Sequence, residues 1–241
     1  MTGWDWVADV VAEQELGGWC VFVGGSIARG WSNPGSDVDA YVLGAPRDAS
    51  VVVPAAGSRP MVDIHAISGD KLEALFDKVS WDVARRGDFI DSVPIREWLL
   101  LERIAHALVV AGEPRLREVQ ERLDRSAHRF MTIQEHFTYA DSFAEDCLGQ
   151  LAVGDVDSAV ISAREAFLRT VDGLLAGRRC FSRNPKWRAR AMRDAKPVEL
   201  DYERFWEVQT TADLPVLGAP RWARRTVADT RAVMAEVDLH A

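Results

Sequence analysis

Three carboxylates are the residues of this 241-residue chain whose types and spacing are best suited to chemistry. Asp37 and Asp39 stand two positions apart, and Asp63 lies inside a later apolar segment. Because side chains alternate across a β-strand, Asp37 and Asp39 are predicted to point to the same side. Carboxylates this close repel one another unless cations lie between them, and Mg²⁺ takes such oxygen ligands together with substrate phosphates. Two ions about 3.5–4 Å apart would stabilise both the attacking and the leaving oxygen of an in-line phosphoryl transfer.

A glycine-rich turn, Gly24-Gly25-Ser26, precedes these carboxylates and follows a short apolar run. Without a Cβ, its backbone can approach a triphosphate closely, and its N–H groups favour an anion. Ser26 adds a hydroxyl donor, and Arg29 is a further candidate for phosphate, with a position in solvent as its alternative. Each piece alone is common, but their order and spacing together indicate a catalytic site.

This arrangement resembles the nucleotidyltransferase superfamily that includes DNA polymerase β and the antibiotic nucleotidyltransferases. The family pattern is Gly-Ser, then Asp-x-Asp, then a distant Asp on another strand, and here it reads Gly25-Ser26, Asp37-Val38-Asp39 and Val62-Asp63-Ile64. The resemblance implies that Asp37 and Asp39 bind two Mg²⁺ ions and that Asp63 completes the acceptor-side metal site. It also implies that Gly25 and Ser26 hold the phosphates of ATP or another NTP.

The elements that position these residues divide the chain into two parts. Strands are predicted near 19–24, 38–43 and 61–67, with a further extended piece at 50–54, and helices at 4–16 and from 68 to about 86. After residue 93 only helices are predicted, at 94–110, at 112–151 in one or two pieces, and at 154–176, 200–210 and 220–238. The predicted fold class is α+β, with a small mixed-sheet nucleotidyltransferase domain at 1–92 followed by an all-α helical bundle domain at 93–241.

Composition narrows the function classes. The formal net charge is -8, whereas a chain that mainly grips nucleic acid is usually basic, which argues against a nucleic-acid partner. Three widely spaced cysteines indicate a reducing, cytoplasmic location, and Cys20 is predicted to be a small core residue. No apolar run approaches the length of a membrane span, so no membrane association is expected.

An acidic block lies between Glu135 and Asp157, where six acidic residues occur and no Lys or Arg. Asp141 and Glu145 would share a helix face beside Thr138. This block is either a solvated face or a wall of the acceptor pocket. Resemblance to antibiotic nucleotidyltransferases suggests a helical-domain glutamate as general base, with Glu145 the first choice and Glu165 the second, while Asp63 is an alternative base.

A basic block at 178–193 carries seven basic residues and no acid before Asp194. Nucleic acid, a triphosphate or the capping of the preceding helix are the three interpretations of this block. Its Pro-Lys-Trp element resembles one in related helical-domain enzymes, which implies that Lys186 neutralises nucleotide phosphate and that Trp187 packs at a helix start. His65 is predicted to face the same side as Asp63, and Trp31 and Trp81 are candidates to stack on a base or sugar.

The predicted function is transfer of an NMP, by default AMP from ATP, to a hydroxyl of a small molecule, with release of pyrophosphate. An aminoglycoside-like antibiotic, and hence antibiotic resistance, or a natural-product intermediate would be the acceptor. An antitoxin-type adenylyltransferase acting on a helical protein partner is the alternative, and a nucleotide-binding module without transfer activity is a third. Nothing in the sequence excludes a homodimer in which two chains complete the pocket.

Overall fold

A computed structural model describes residues 3–87, 89–90 and 92–239 of the chain. They divide into two compact units, residues 1–128 and 129–241. The predicted boundary at 92/93 therefore falls inside the first unit, which continues for one more helix, one strand and a second helix. Those additional elements belong with the first unit because the strand among them pairs with the sheet.

The first unit contains five strands and six helices among its described residues. The strands are β1 (Cys20–Val23), β2 (Val38–Ala45), β3 (Ala49–Val53), β4 (Val62–Ser68) and β5 (Leu108–Ala111). The helices are α1 (Asp5–Glu13), α2 (Gly25–Ala28), α3 (Gly69–Lys78), α4 (Trp81–Arg86), α5 (Ile95–Ala105) and α6 (Glu113–Arg125).

The five strands form one mixed sheet in the order β3-β4-β2-β1-β5. Strands β2 and β4 run parallel, and every other neighbouring pair is antiparallel. Alternate residues of β2 and β4, including Val38, Ala40 and Ile64, pack on the apolar side of α1. The intervening residues of the same strands are therefore on the opposite face of the sheet. This alternation separates the core face from the face that carries the carboxylates.

Two helix predictions in this unit were wrong: one predicted helix is divided in two, and the other ends earlier than expected. The helix expected from 68 to about 86 is two helices, because the Ser80 side chain accepts a hydrogen bond from Val83 N (3.4 Å) and starts α4 anew. The helix expected at 94–110 ends at Ala105, and Leu108–Ala111 instead forms β5 on the edge of β1. A Leu-Val-Val run suits a strand once an unpaired edge is available.

The second unit is helical throughout its described elements. They are α7 (His128–Ala152), α8 (Val156–Gly177), α9 (Arg188–Ala195), α10 (Tyr202–Thr210), α11 (Leu214–Leu217) and α12 (Ala219–Glu236), with a 3₁₀ turn at Pro185–Trp187. Fully buried Phe167, Leu174 and Trp222 contribute to its core on α8 and α12. The predicted fold class, a mixed sheet with helices followed by an all-α region, is confirmed.

Two further sequence predictions concern cysteine and the membrane. Cys20 is buried at the start of β1, as predicted for a core residue, and burial raises the pKa of its thiol to about 11. Within the described part of the chain, no helix has both the length and the apolar run needed to cross a bilayer.

Candidate active site

The parallel pairing of β2 and β4 brings the two strand carboxylates together. Asp39 is the direct partner of Asp63 in the register, and Tyr41 is the partner of His65. All four side chains occupy the sheet face opposite α1, because they alternate with the residues that pack on that helix. The prediction that His65 faces the same side as Asp63 is confirmed.

One oxygen or nitrogen atom from each of Asp39, Asp63 and His65 lies within 4.8 Å of the others. His65 Nε2 is 3.4 Å from Asp63 Oδ2, and His65 Nδ1 is 3.3 Å from Ser50 Oγ. Asp63 Oδ1 is buried and has no hydrogen-bond partner among the described residues. Two carboxylates and an imidazole with an unused buried oxygen are a donor set that suits a divalent cation.

Asp37, the third predicted carboxylate, precedes β2 and is exposed. It is not a member of the three-residue group found in the described part of the chain. Its charge nevertheless reaches Asp39, since it is one of the influences that raise the pKa of that residue. Asp37 is thus a neighbour of the cluster.

Arg103 on α5 is a site residue that the sequence did not indicate. Its Nη2 lies 4.0 Å from Asp39 Oδ2, and its Nη1 lies 3.1 Å from Oε1 of the buried Glu102. Burial raises the pKa of Asp39, Arg103 acts against that rise, and Asp37 and Asp63 add to it. One half-buried guanidinium therefore compensates the acidic cluster only in part. No local pattern marks Arg103, because its role depends on where α5 packs.

Both glycines of the turn are required by close approaches to this cluster. Gly25 has φ +65°, and a Cβ there would overlap Asp39 Oδ2. A Cβ on Gly24 would lie 2.8 Å from Arg103 Cδ. Gly24 N also donates a 2.9 Å hydrogen bond to Asp39 O, which fixes the turn beside the start of β2. The predicted phosphate turn and the carboxylates are thus adjacent.

The residues that follow the turn form a small packed unit. Ser26 is half-buried in α2, and its carbonyl accepts a 2.7 Å hydrogen bond from Trp31 N. The Arg29 guanidinium lies 3.7 Å from the ring centroid of Trp31, which is itself buried. This covered ring is unsuited to stacking on a base, contrary to the expectation for Trp31. Trp81 lies on α4 and donates a 3.0 Å hydrogen bond from Nε1 to Arg125 O.

The predicted site residues of the second unit have local partners of their own. Glu145 is exposed on α7 and accepts a 2.5 Å hydrogen bond from Arg231 of α12. Glu165 is half-buried on α8. Lys186 is exposed in the 3₁₀ turn, 5.1 Å from the ring centroid of Trp187, and Trp187 directly precedes α9 as predicted.

Three of the seven basic residues in the basic block of the second unit pair with carboxylates. Arg178 donates to Glu199 at 2.7 Å, and Arg188 donates to Asp172 at 2.8 Å from two of its nitrogens. Arg183 pairs with Glu135, which belongs to the acidic block. These three cations contribute to the packing of the helical unit, which weakens the interpretation of the block as a surface for nucleic acid.

Comparison with known proteins shows a likeness in fold. The chain matches no protein-family model and no curated protein. Among solved structures it is similar to a nucleotidyltransferase-like protein from Exiguobacterium sibiricum 255-15, with a TM-score of 0.53 and 8% sequence identity over 97% of this chain and 75% of the other. At this identity the likeness concerns the fold, and the chain accordingly has the fold of a nucleotidyltransferase-like protein.

Proposed function

We propose that the chain is a nucleotidyltransferase that moves a nucleoside monophosphate, by default AMP from ATP, to a hydroxyl group of a small molecule. The observation that carries the proposal is the in-register pair Asp39 and Asp63, with an unused buried oxygen, beside a glycine turn that has no room for a Cβ. The nucleotidyltransferase-like fold supports the same reaction class. Fold alone would not be sufficient, because one fold hosts many activities.

The residues of the site fit a divalent metal. Asp39 and Asp63 would hold it, with Asp37 as a further carboxylate and His65 as a nitrogen donor beside Asp63. Mg²⁺ prefers carboxylate oxygen together with substrate phosphate, and a pair of such ions is the expectation for this reaction. When bound, the metal would supply neutralisation of the charge that develops on the transferred phosphoryl group.

The protein groups would position the reactants. Gly25 N–H and Ser26 hydroxyl would bind the β- and γ-phosphates, with Arg29 and Lys186 as additional candidates for phosphate. The acceptor oxygen would then form a bond to the α-phosphorus while the bond from that phosphorus to the pyrophosphate oxygen breaks. Catalysis of this kind rests on alignment and on preorganised charge.

The proton of the acceptor hydroxyl must pass to a base. Asp63 is our first candidate, since its Oδ1 is unpaired and its Oδ2 is oriented by His65 at 3.4 Å. Glu145 and Glu165 of the second unit remain the candidates inferred from resemblance. Glu145 is already engaged with Arg231, which makes it the weaker choice.

The proposal is tested by pyrophosphate release with Mg²⁺ and ATP over a panel of hydroxyl compounds that includes cationic antibiotics and anionic metabolites. Wild-type chain is expected to release pyrophosphate with at least one acceptor, and the Asp39→Asn variant is expected to release it roughly 10³-fold more slowly. Asp82→Asn, which changes an exposed carboxylate on α4, is the matched control and should retain activity. Magnesium-independent ATP binding, or equal activity in all three proteins, would refute the proposal.

A further inference from the structure

A cavity of about 830 Å³ opens beside the carboxylates and lies entirely within the first unit. Asp39 stands at one end, while Asp48 and Lys71, which follow the far ends of β2 and β4, line the other. The side chains of Tyr41 and His65 line the stretch between them. A volume of this size accommodates a metabolite-sized ligand.

The glycine turn lies at the Asp39 end of the cavity, where Gly24 approaches the lining residues Tyr41 and Arg103. Gly24 is hydrogen-bonded to Asp39 at the start of β2, whereas the cavity extends toward the carboxyl ends of β2 and β4. An in-line displacement requires the acceptor oxygen and the leaving pyrophosphate to lie on opposite sides of the α-phosphorus. If the turn holds the departing phosphates at the Asp39 end, the remainder of the cavity is left for the acceptor.

Most of the charges that line the cavity have an opposite charge nearby. Asp48 pairs with Lys71 at 3.2 Å, Glu97 pairs with Lys78 at 2.7 Å, and Arg103 faces Asp39 at 4.0 Å. Arg96 is exposed at the cavity and forms no ion pair or hydrogen bond with any described residue. A ligand bound near α5 would therefore meet a positive charge that has no partner among the described residues.

Aromatic and hydroxyl groups complete the lining. The rings of Tyr41 and His65 are stacked with centroids 5.1 Å apart, and Tyr41 is itself stacked on Phe22 at 5.0 Å. Ser50 Oγ interacts with His65 Nδ1 at 3.3 Å. This wall offers a flat apolar surface with polar edges, which suits a compact polyhydroxylated or cyclic molecule.

We propose that this cavity binds the acceptor and that the acceptor carries an anionic group, a carboxylate or a phosphate, which pairs with Arg96. This inference rests on the proposed function and names the substrate class of the same site. It favours an anionic biosynthetic intermediate over a polycationic antibiotic, because a polycation would place like charge against Arg96.

The charge preference is measured with three related probes, glycerate, glycerol and 3-amino-1,2-propanediol, by ligand-observed NMR with magnesium and a non-hydrolysable ATP analogue present. Glycerate is expected to bind about fivefold more tightly than the amine, a factor typical of one exposed ion pair. Arg96→Ala should abolish that preference, and Arg115→Ala, which removes an exposed arginine of α6, should leave it intact. A preference for the amine, no binding of glycerate by wild-type chain, or an unchanged preference in Arg96→Ala would overturn the inference.

The identity of the occupant is tested by filling the cavity. Ser50→Trp on β3 and Leu99→Trp on α5 place a large side chain into it from two elements, so that one misfolded variant leaves the other usable. Loss of glycerate binding with retained binding of the magnesium–ATP analogue is the expected result. Loss of nucleotide binding as well would mean that the cavity holds the nucleotide, which overturns the inference and spares the proposed function. Failure of wild-type chain to bind the nucleotide at all would instead remove the proposed function, while the preference among the probes could still be measured.

Discussion

The two units differ in how the charges of their carboxylates are neutralised. In the first unit, Asp39 and Asp63 lie side by side in the register, with Arg103 4.0 Å from Asp39 and His65 3.4 Å from Asp63. In the second unit, Asp172 is matched to Arg188 through two hydrogen bonds of 2.8 Å, with both side chains 9% exposed. Gathering like charges destabilises a fold unless a ligand neutralises them, whereas a matched pair needs no ligand.

This difference distinguishes a candidate functional site from a contact that only stabilises the fold. The clustered acids of the first unit leave Asp63 Oδ1 without a hydrogen-bond partner among the described residues, so that this oxygen is available as a ligand. The acidic and basic blocks of the second unit were more conspicuous in the sequence, yet Glu135 and Arg183 from those blocks satisfy each other. A dense run of charge is therefore a poorer guide to function than a few acids that lack partners.

The largest expected effect would come from removing a carboxylate of the first unit. Asp39→Asn should lower the transfer rate by roughly 10³-fold, because neutralisation of the transferred phosphoryl group is worth several kcal/mol. Its stability to urea should be unchanged or higher, since burial raises the pKa of Asp39 and the charged form is disfavoured in the fold. The transfer rate and the urea unfolding curve of Asp39→Asn are both measured. An Asp39→Asn protein that is less stable than wild type but still active would contradict the difference between the units.

Breaking the matched pair of the second unit should instead cost stability. Arg188→Met leaves Asp172 buried without its partner, and the expected loss is about 3–5 kcal/mol in the free energy of unfolding. The double variant Arg188→Met with Asp172→Leu should recover most of that loss, because no unpaired charge remains. Urea denaturation followed by circular dichroism provides the measurement. Equal stability of the single variant and wild type would mean that the pair is not structural.

The pH response should also differ between the units. The pKa of His136 on α7 is lowered from 6.5 to about 4, chiefly by burial; Asp172 opposes this fall, and the charges of Arg183, Arg169 and Arg188 contribute to it. Between those values the unfolded chain binds a proton at His136 that the folded chain does not bind. The folded state therefore keeps its full stability above pH 6.5 and loses stability as the pH falls toward 4. The loss is on the order of 3 kcal/mol.

Hydrogen exchange of the α7 amides at a series of pH values measures this loss. His136→Leu, which cannot titrate, should flatten the profile, whereas His65→Gln in the first unit should leave it unchanged. Asp39 contributes with the opposite sign, since a carboxyl whose pKa is raised in the fold favours the folded state more as the pH falls. A profile that is identical in wild type and His136→Leu would contradict the assignment.

The smallest expected effect is the stabilisation by metal alone. Magnesium at tenfold its dissociation constant should raise the free energy of unfolding by about 1.4 kcal/mol, because it binds only the folded chain. Asp63→Asn should abolish this increment and Asp82→Asn should preserve it, as read from thermal unfolding without nucleotide. The same increment in Asp63→Asn would show that magnesium stabilises the chain elsewhere.

Local patterns in the sequence predicted much of the candidate site. The strand alternation predicted that Asp63 and His65 share one face. The Gly24-Gly25 turn was predicted from its lack of Cβ atoms, although the close approach in the structure is to Asp39 and Arg103. The fold class and the order of most elements were also predictable, because hydrophobic periodicity reports which face of an element is buried. These features depend on residues a few positions apart.

Long-range packing decided the rest. Arg103 reaches Asp39 only because α5 packs near β2, and Leu108–Ala111 became a strand only because β1 offered an edge. The partner of Arg183 lies 48 residues away on α7, so the basic block could not be recognised as structural from its own composition. The sequence by itself determined which side chains share a face, since that follows from backbone geometry. Which charges meet was decided by the tertiary structure, because electrostatic partners are set by the packing of distant elements.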